Sequence, residues 1–150
     1  MKFVLFRHAH KGNSPFDDPE LSKQGYDQAA NLLQLINENV IPKPSQLLVS
    51  PKRRTSQTFY AISKEFNIPK KIQNGLDQRG ENETQAKFRH RISEFLKQVE
   101  QINQSEAVMY ASRGKRSHRR IARALPSAAA TTVRSLHSRC TDPLVVYRTQ

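Results

Sequence analysis

Apolar and polar positions fall into blocks along the chain. KFVLF (2–6) is a short apolar run rich in strand formers, the signature of an interior strand. A loop with Gly12, Asn13, Ser14 and Pro15 follows, then the acidic DDPE (17–20). From Ser22 the pattern turns helical: Ala29, Leu32, Leu33, Ile36 and Val40 keep the three-to-four spacing of one apolar face, with Ser22 placed to cap it. Pro42 and Pro44 lead out. QLLVS (46–50) reads as a second strand, and Ser50 with Pro51 opens a second helix whose buried side is Phe59, Ile62 and Phe66. An irregular stretch runs from Ile68-Pro69 through Gly75 and Gly80. A third helix is clearest at Phe88, Ile92, Phe95, Leu96, Val99 and Ile102, and EAVMY (106–110) is a third strand. Strands and helices alternating at these lengths predict an α/β domain with helices covering a central sheet.

After Tyr110 the composition changes. Residues 1–110 carry 19 Asn and Gln, whereas 111–150 carry only Gln150. IARAL (121–125) suits a helix and LVVY (144–147) a strand, but SAAATTVRSLHSRC (127–140) has no clear period. The expectation is a single domain over 1–150, with 111–150 a basic, atypical and weakly packed segment. A basic tail and a shift of reading frame both account for the break.

Charge alters this picture only locally. The net charge is +12, which invites a nucleic-acid partner. Yet residues 1–110 hold 16 Lys and Arg against 12 Asp and Glu, while 111–150 hold 9 against 1. The excess belongs to the tail. RGKRSHRRIAR (113–123) lacks interleaved aromatics for base stacking, so nucleic acid is not the expected partner. At 150 residues the chain can bury a core without staples, and its single Cys140 cannot form an internal disulfide. The apolar runs are far shorter than a membrane span, so a cytoplasmic protein without a membrane partner is expected.

The candidate chemistry lies at strand ends, where ligands of α/β sheets collect. Arg7 and His8 end the first strand. Arg54 lies early in the helix opened by Ser50-Pro51, where backbone N–H groups also favour an anion. Two guanidinium groups beside an imidazole make a phosphate site. The guanidinium forks match phosphate oxygens, and an unprotonated ring nitrogen can attack phosphorus.

FRHAHKG (6–12) resembles the Arg-His-Gly/Ala signature of the histidine phosphatase, or phosphoglycerate-mutase-like, superfamily. LSKQGYDQA (21–29) resembles its Leu-Ser/Thr-x-x-Gly-x-x-Gln-Ala segment, and SPKRRTSQT (50–58) its Ser-Pro-x-x-Arg-x-x-Gln-Thr segment. The short length is similar to the small bacterial phosphohistidine phosphatase branch. The resemblance implies a three-layer helix–sheet–helix fold with a mainly parallel sheet. It implies that His8 is the nucleophile, forming a phosphohistidine intermediate, and that Arg7 and Arg54 bind the phosphoryl oxygens. The implied activity is a phosphohydrolase on protein phosphohistidine or a small phosphomonoester, needing no metal or other cofactor.

Further positions are candidates. Ser14 and Asn13 are loop contacts for phosphate, and His10 and Lys11 are rim residues. Asp77, Glu81 and Glu83 are the carboxylates on offer as general acid; Glu83 sits where relatives write Gly-Glu-Ser, whereas the family's Leu-x-Glu position reads Leu76-Asp77-Gln78. The family also places a second histidine directly after the third strand, in a Ser/Thr/Gly-His pair. Here Ser112 is followed by Arg113, and Ser117-His118 comes later. His118 is therefore a candidate catalytic residue and Arg113 a candidate substrate-binding one. Arg113 keeps a positive charge but cannot carry protons as imidazole does. A catalytically inactive phosphate-binding protein is thus the alternative reading, ahead of a basic nucleic-acid-binding protein.

Overall fold

The computed structural model describes residues 2–101, 108–113, 130–131 and 145–148. His118, the IARAL helix and Cys140 lie outside the described residues. The elements, in chain order, are strand β1 (Lys2–Arg7), helix α1 (Lys23–Asn37), strand β2 (Gln46–Val49), helices α2 (Arg53–Thr58) and α3 (Tyr60–Glu65), strand β3 (Lys70–Ile72), a 3-10 turn at Asn74–Leu76, helix α4 (Gln85–Gln101), and strands β4 (Val108–Arg113), β5 (Ala130–Thr131) and β6 (Val145–Arg148).

The strands form one sheet in the order β3-β2-β4-β1-β6-β5. The β1–β4, β2–β4 and β2–β3 pairs are parallel, and β6 runs antiparallel to β1 and β5. This is the expected α/β fold, a mainly parallel sheet flanked by helices. β1 is interior, so both its faces are covered: Val4 and Leu5 are fully buried and Phe6 nearly so. Val4, Phe6, Leu47 and Val49 share a core with Ile36 and Ile41 from α1 and its exit, and with Phe59 and Ile62. Phe6 meets Phe59 edge to face, with centroids 5.6 Å apart. Leu5 and Leu48, which alternate to the other face, are equally buried, as is the α4 stripe of Phe88, Ile92, Phe95, Leu96 and Val99.

Several boundaries differ from the sequence reading. α1 ends at Asn37, and Asn39 takes the left-handed conformation (φ 58°) that stops a helix. Val40 is consequently half exposed, and its place in the core passes to Ile41. The helix expected from Ser50-Pro51 starts two residues later, with Lys52 as its N-cap. The Thr55 hydroxyl folds back onto this start, lying 2.8 Å from the Ser50 carbonyl oxygen and 2.7 Å from that of Lys52. The helix then breaks at Phe59, whose backbone (φ -100°, ψ 10°) has left helical geometry. Inside the stretch read as irregular lies β3, a short exposed edge strand. β4 continues to Arg113 because its ladder with β1 runs on, pairing Phe6 with Ser112 and Arg7 with Arg113. Val145, Val146 and Tyr147 of the expected LVVY strand fall on β6, which pairs with β1 from Lys2↔Arg148 to Leu5↔Val145.

Candidate functional site

The parallel ladders align the carboxyl ends of three strands. Arg7 ends β1 beside Arg113 of β4, while Val49 of β2 stands opposite Ser112. The chain leaves β1 into the segment from His8 to Lys11, and two sets of contacts fix its course.

The first set comes from α1. Ser22 caps the helix by accepting from the Gly25 N–H at 3.1 Å, and its own N–H donates to the His10 carbonyl at 3.0 Å. Gly25 is required because a Cβ there would collide with that carbonyl. One turn on, the Gln28 carboxamide accepts from the His10 N–H at 2.7 Å. The His10 ring lies 2.8 Å from the Ser22 hydroxyl and is exposed. The second set comes from α2. Thr58 accepts from the Ala9 N–H at 3.1 Å and donates to the Arg54 carbonyl at 2.7 Å, while Gln57 accepts from the Leu21 N–H at 3.0 Å. The fixed Gly25, Gln28 and Thr58 of the motifs thus clamp the segment that carries His8, and Gln57 holds Leu21, which bridges Lys11. Sequence reasoning quoted these positions but gave them no task.

His8 is held between these contacts, 7% exposed. Its Nδ1 lies 2.7 Å from the Ala9 carbonyl oxygen. A carbonyl only accepts, so Nδ1 carries the proton and Nε2 presents its lone pair. Burial pushes the imidazole pKa down to about 4; the Ala9 carbonyl opposes this, and the charges of Arg54, Arg7 and Lys11 lower it further. The ring is therefore neutral at physiological pH, within the field of both arginines.

Arg54 is equally buried. Its Nη2 donates to the Gln78 carboxamide at 3.3 Å, and Nη1 lies 3.5 Å from Oδ1 of Asp18. Its buried Nε–H has no protein acceptor among the described residues. Asp18 also accepts from the Arg53 N–H, at 3.3 and 3.2 Å, and Arg53 pairs with Glu20 at 3.2 Å. Neither Asp18 nor Gln78 was singled out from sequence. The available signal was charge: the acidic DDPE precedes the Lys52-Arg53-Arg54 triplet it now meets.

The remaining candidates are dispersed. Ser14 and Asn13 are exposed in the loop, where the Ser14 carbonyl accepts from Glu20 N–H at 3.3 Å. Lys11 is exposed and bridges Leu21. Both Glu83 oxygens are taken by Arg91, at 2.9 Å from Nε and 2.8 Å from Nη2. Arg91 Nη1 also donates to the carbonyls of Asn74, Gly75 and Asp77, so the pair staples the 74–83 turn to α4. Asp77 accepts from the Gln78 N–H at 2.8 Å, and Glu81 is exposed. Among the described residues no three His, Cys, Asp or Glu side chains gather as metal ligands, and no helix is long and apolar enough to cross a membrane.

Comparison with known proteins agrees with this architecture. No curated protein sequence matches the chain significantly. Among solved structures, the protein histidine phosphatase SixA complexed with tungstate superposes with a TM-score of 0.63 at 17% identity, over 81% of this chain and 74% of that one. The alpha-ribazole phosphatase from Shigella flexneri gives 0.62 at 17% identity, over 77% and 74%. The mycobacterial glucosyl-3-phosphoglycerate phosphatase gives 0.64 at 11% identity, over 83% and 80%. At such identities the likeness is one of fold. The sequence model of the histidine phosphatase superfamily (branch 1) matches residues 3–132, a span running well past the composition break at Tyr110. On that match the chain belongs to the histidine phosphatase superfamily, branch 1.

Proposed function

We propose that this protein is a phosphohydrolase that works through a phosphohistidine intermediate on His8, with protein phosphohistidine or a small phosphomonoester as substrate. The observation that carries the reading is the Nδ1–H bond of His8 to the Ala9 carbonyl, which leaves Nε2 unprotonated in a buried, cationic setting. A phosphoryl group held by Arg7 and Arg54 receives the Nε2 lone pair. The bond from phosphorus to the leaving oxygen or nitrogen breaks, and that atom departs with the electron pair and takes up a proton from solvent water. Nδ1 keeps its proton, and the Ala9 carbonyl supports the cationic ring. Water then attacks phosphorus on the opposite side, releasing phosphate and restoring neutral His8. Apart from water, the steps use this chain's own side chains, and none calls for a metal. The tungstate of the SixA structure is a tetrahedral oxyanion of the kind such a site would hold.

Glu83, committed to Arg91, serves the turn and not the leaving group in this reading. Without a dedicated acid, phosphoramidates are favoured over alkyl esters, because their leaving nitrogen can be protonated before the bond breaks. A second reading, phosphate binding with slow turnover, is favoured by one observation: Arg113 occupies the ladder position beside Arg7. Ser14 and Arg113 are proposed as further phosphate contacts, and His118 remains the alternative partner to His8. Phosphate release from a phosphorylated histidine peptide and from 4-nitrophenyl phosphate, measured side by side, tests the function. Faster hydrolysis of the phosphoramidate supports it; failure to hydrolyse either, with phosphate still bound, leaves the second reading.

A further inference from the structure

We infer that Asp18 is a positioning residue that fixes the Arg54 guanidinium for the phosphoryl group. This rests on the proposed role of Arg54. The carboxylate joins two pieces of chain far apart in sequence. It accepts from the Arg53 N–H at 3.3 and 3.2 Å, and Oδ1 stands 3.5 Å from Arg54 Nη1. Gln78 takes Nη2 from the other side at 3.3 Å. Asp18 and Gln78 each engage one terminal nitrogen, and the buried Nε–H has no protein acceptor among the described residues. An arginine held at two points presents its remaining donors in one orientation, so a bound oxyanion need not order the side chain itself.

The loop bearing Asp18 is held independently. Gly12 N–H donates to the Glu20 carbonyl at 2.7 Å, Lys11 bridges Leu21, and Glu20 pairs with Arg53 at 3.2 Å. Asp18 is three-quarters buried at the side chain, whereas Phe16 at the tip is almost fully exposed. Losing one carboxylate therefore leaves the loop's other attachments intact, and its effect should pass through Arg54.

The experiment is a double-mutant cycle on the full chain, read by calorimetric titration with orthovanadate and inorganic phosphate. Binding is chosen as readout because it works whether or not turnover is fast. Asp18→Ala should weaken binding of both anions about tenfold in the native background and have little effect in an Arg54→Ala background. Asp18→Asn, which keeps a neutral acceptor of the same shape, should recover part of the loss. A merely structural role for the loop would lower affinity equally in both backgrounds, overturning the proposal. Tighter binding by Asp18→Ala would also overturn it, by making Asp18 a competitor of the anion. If Arg54→Ala alone leaves anion binding unchanged, it is the assignment of Arg54 that fails.

Discussion

Nδ1 of His8 lies 2.7 Å from the carbonyl oxygen of its own neighbour, Ala9, while the Ala9 N–H is tied to Thr58 at 3.1 Å. The peptide whose carbonyl orients the ring is itself held through its N–H, that of His10, by Gln28 of α1 at 2.7 Å, and the peptide before it by Thr58 of α2, so tautomer, ring orientation and the positions of both helices are one arrangement.

The protonation of His8 follows from its burial. With a folded pKa of about 4 against 6.5 in a free histidine, the unfolded chain binds the extra proton between those values. The stabilising contribution of neutral His8 is therefore fully present above about pH 6.5 and is lost as pH falls toward about 4. An NMR titration of the free protein should show the His8 ring neutral down to about pH 5; a midpoint near 6.5 would contradict the buried, hydrogen-bonded setting.

Thr58→Val keeps the side-chain shape but removes the acceptor of the Ala9 N–H. It should cost about 1–3 kcal/mol in urea denaturation, whereas Thr58→Ser should cost less, because the hydroxyl remains. A larger loss in Thr58→Ser than in Thr58→Val would mean that the methyl packing, and not the hydrogen bond, is what Thr58 supplies.

Gly25→Ala places a methyl group against the His10 carbonyl, where backbone must move. A loss of about 2 kcal/mol is expected, together with weaker phosphate binding, since His10 lies on the segment that carries His8. Unchanged stability and affinity would show that α1 does not set the course of this segment.

Arg113 stands beside Arg7 in the β1–β4 ladder. Arg113→His exchanges a fixed cation for a group that can carry a proton, and should raise kcat by about a hundredfold while changing phosphate affinity far less. Parallel rates for the two proteins would remove this position from the reaction.

Much of this was legible because it depends on short-range rules. The apolar run of β1, the Ser22 cap and the α4 stripe are local patterns, and each element formed where they lie. Arg7, His8 and Arg54 could be named because each sits at the end or start of such an element. What escaped depends on pairing across the fold. Asp18 meets Arg54 only once the 12–20 loop turns back on α2, and Glu83 finds Arg91 only across a turn and two helical turns. Phe59, at the break between α2 and α3, meets Phe6 of β1 edge to face, a contact no periodicity encodes.

The most direct test of the central claim is rapid-quench labelling with a phosphoryl donor carrying radioactive phosphorus. The account predicts a label on His8 that is stable to base, lost in acid and absent from His8→Asn. A label that survives acid, persists in His8→Asn or never forms would contradict it.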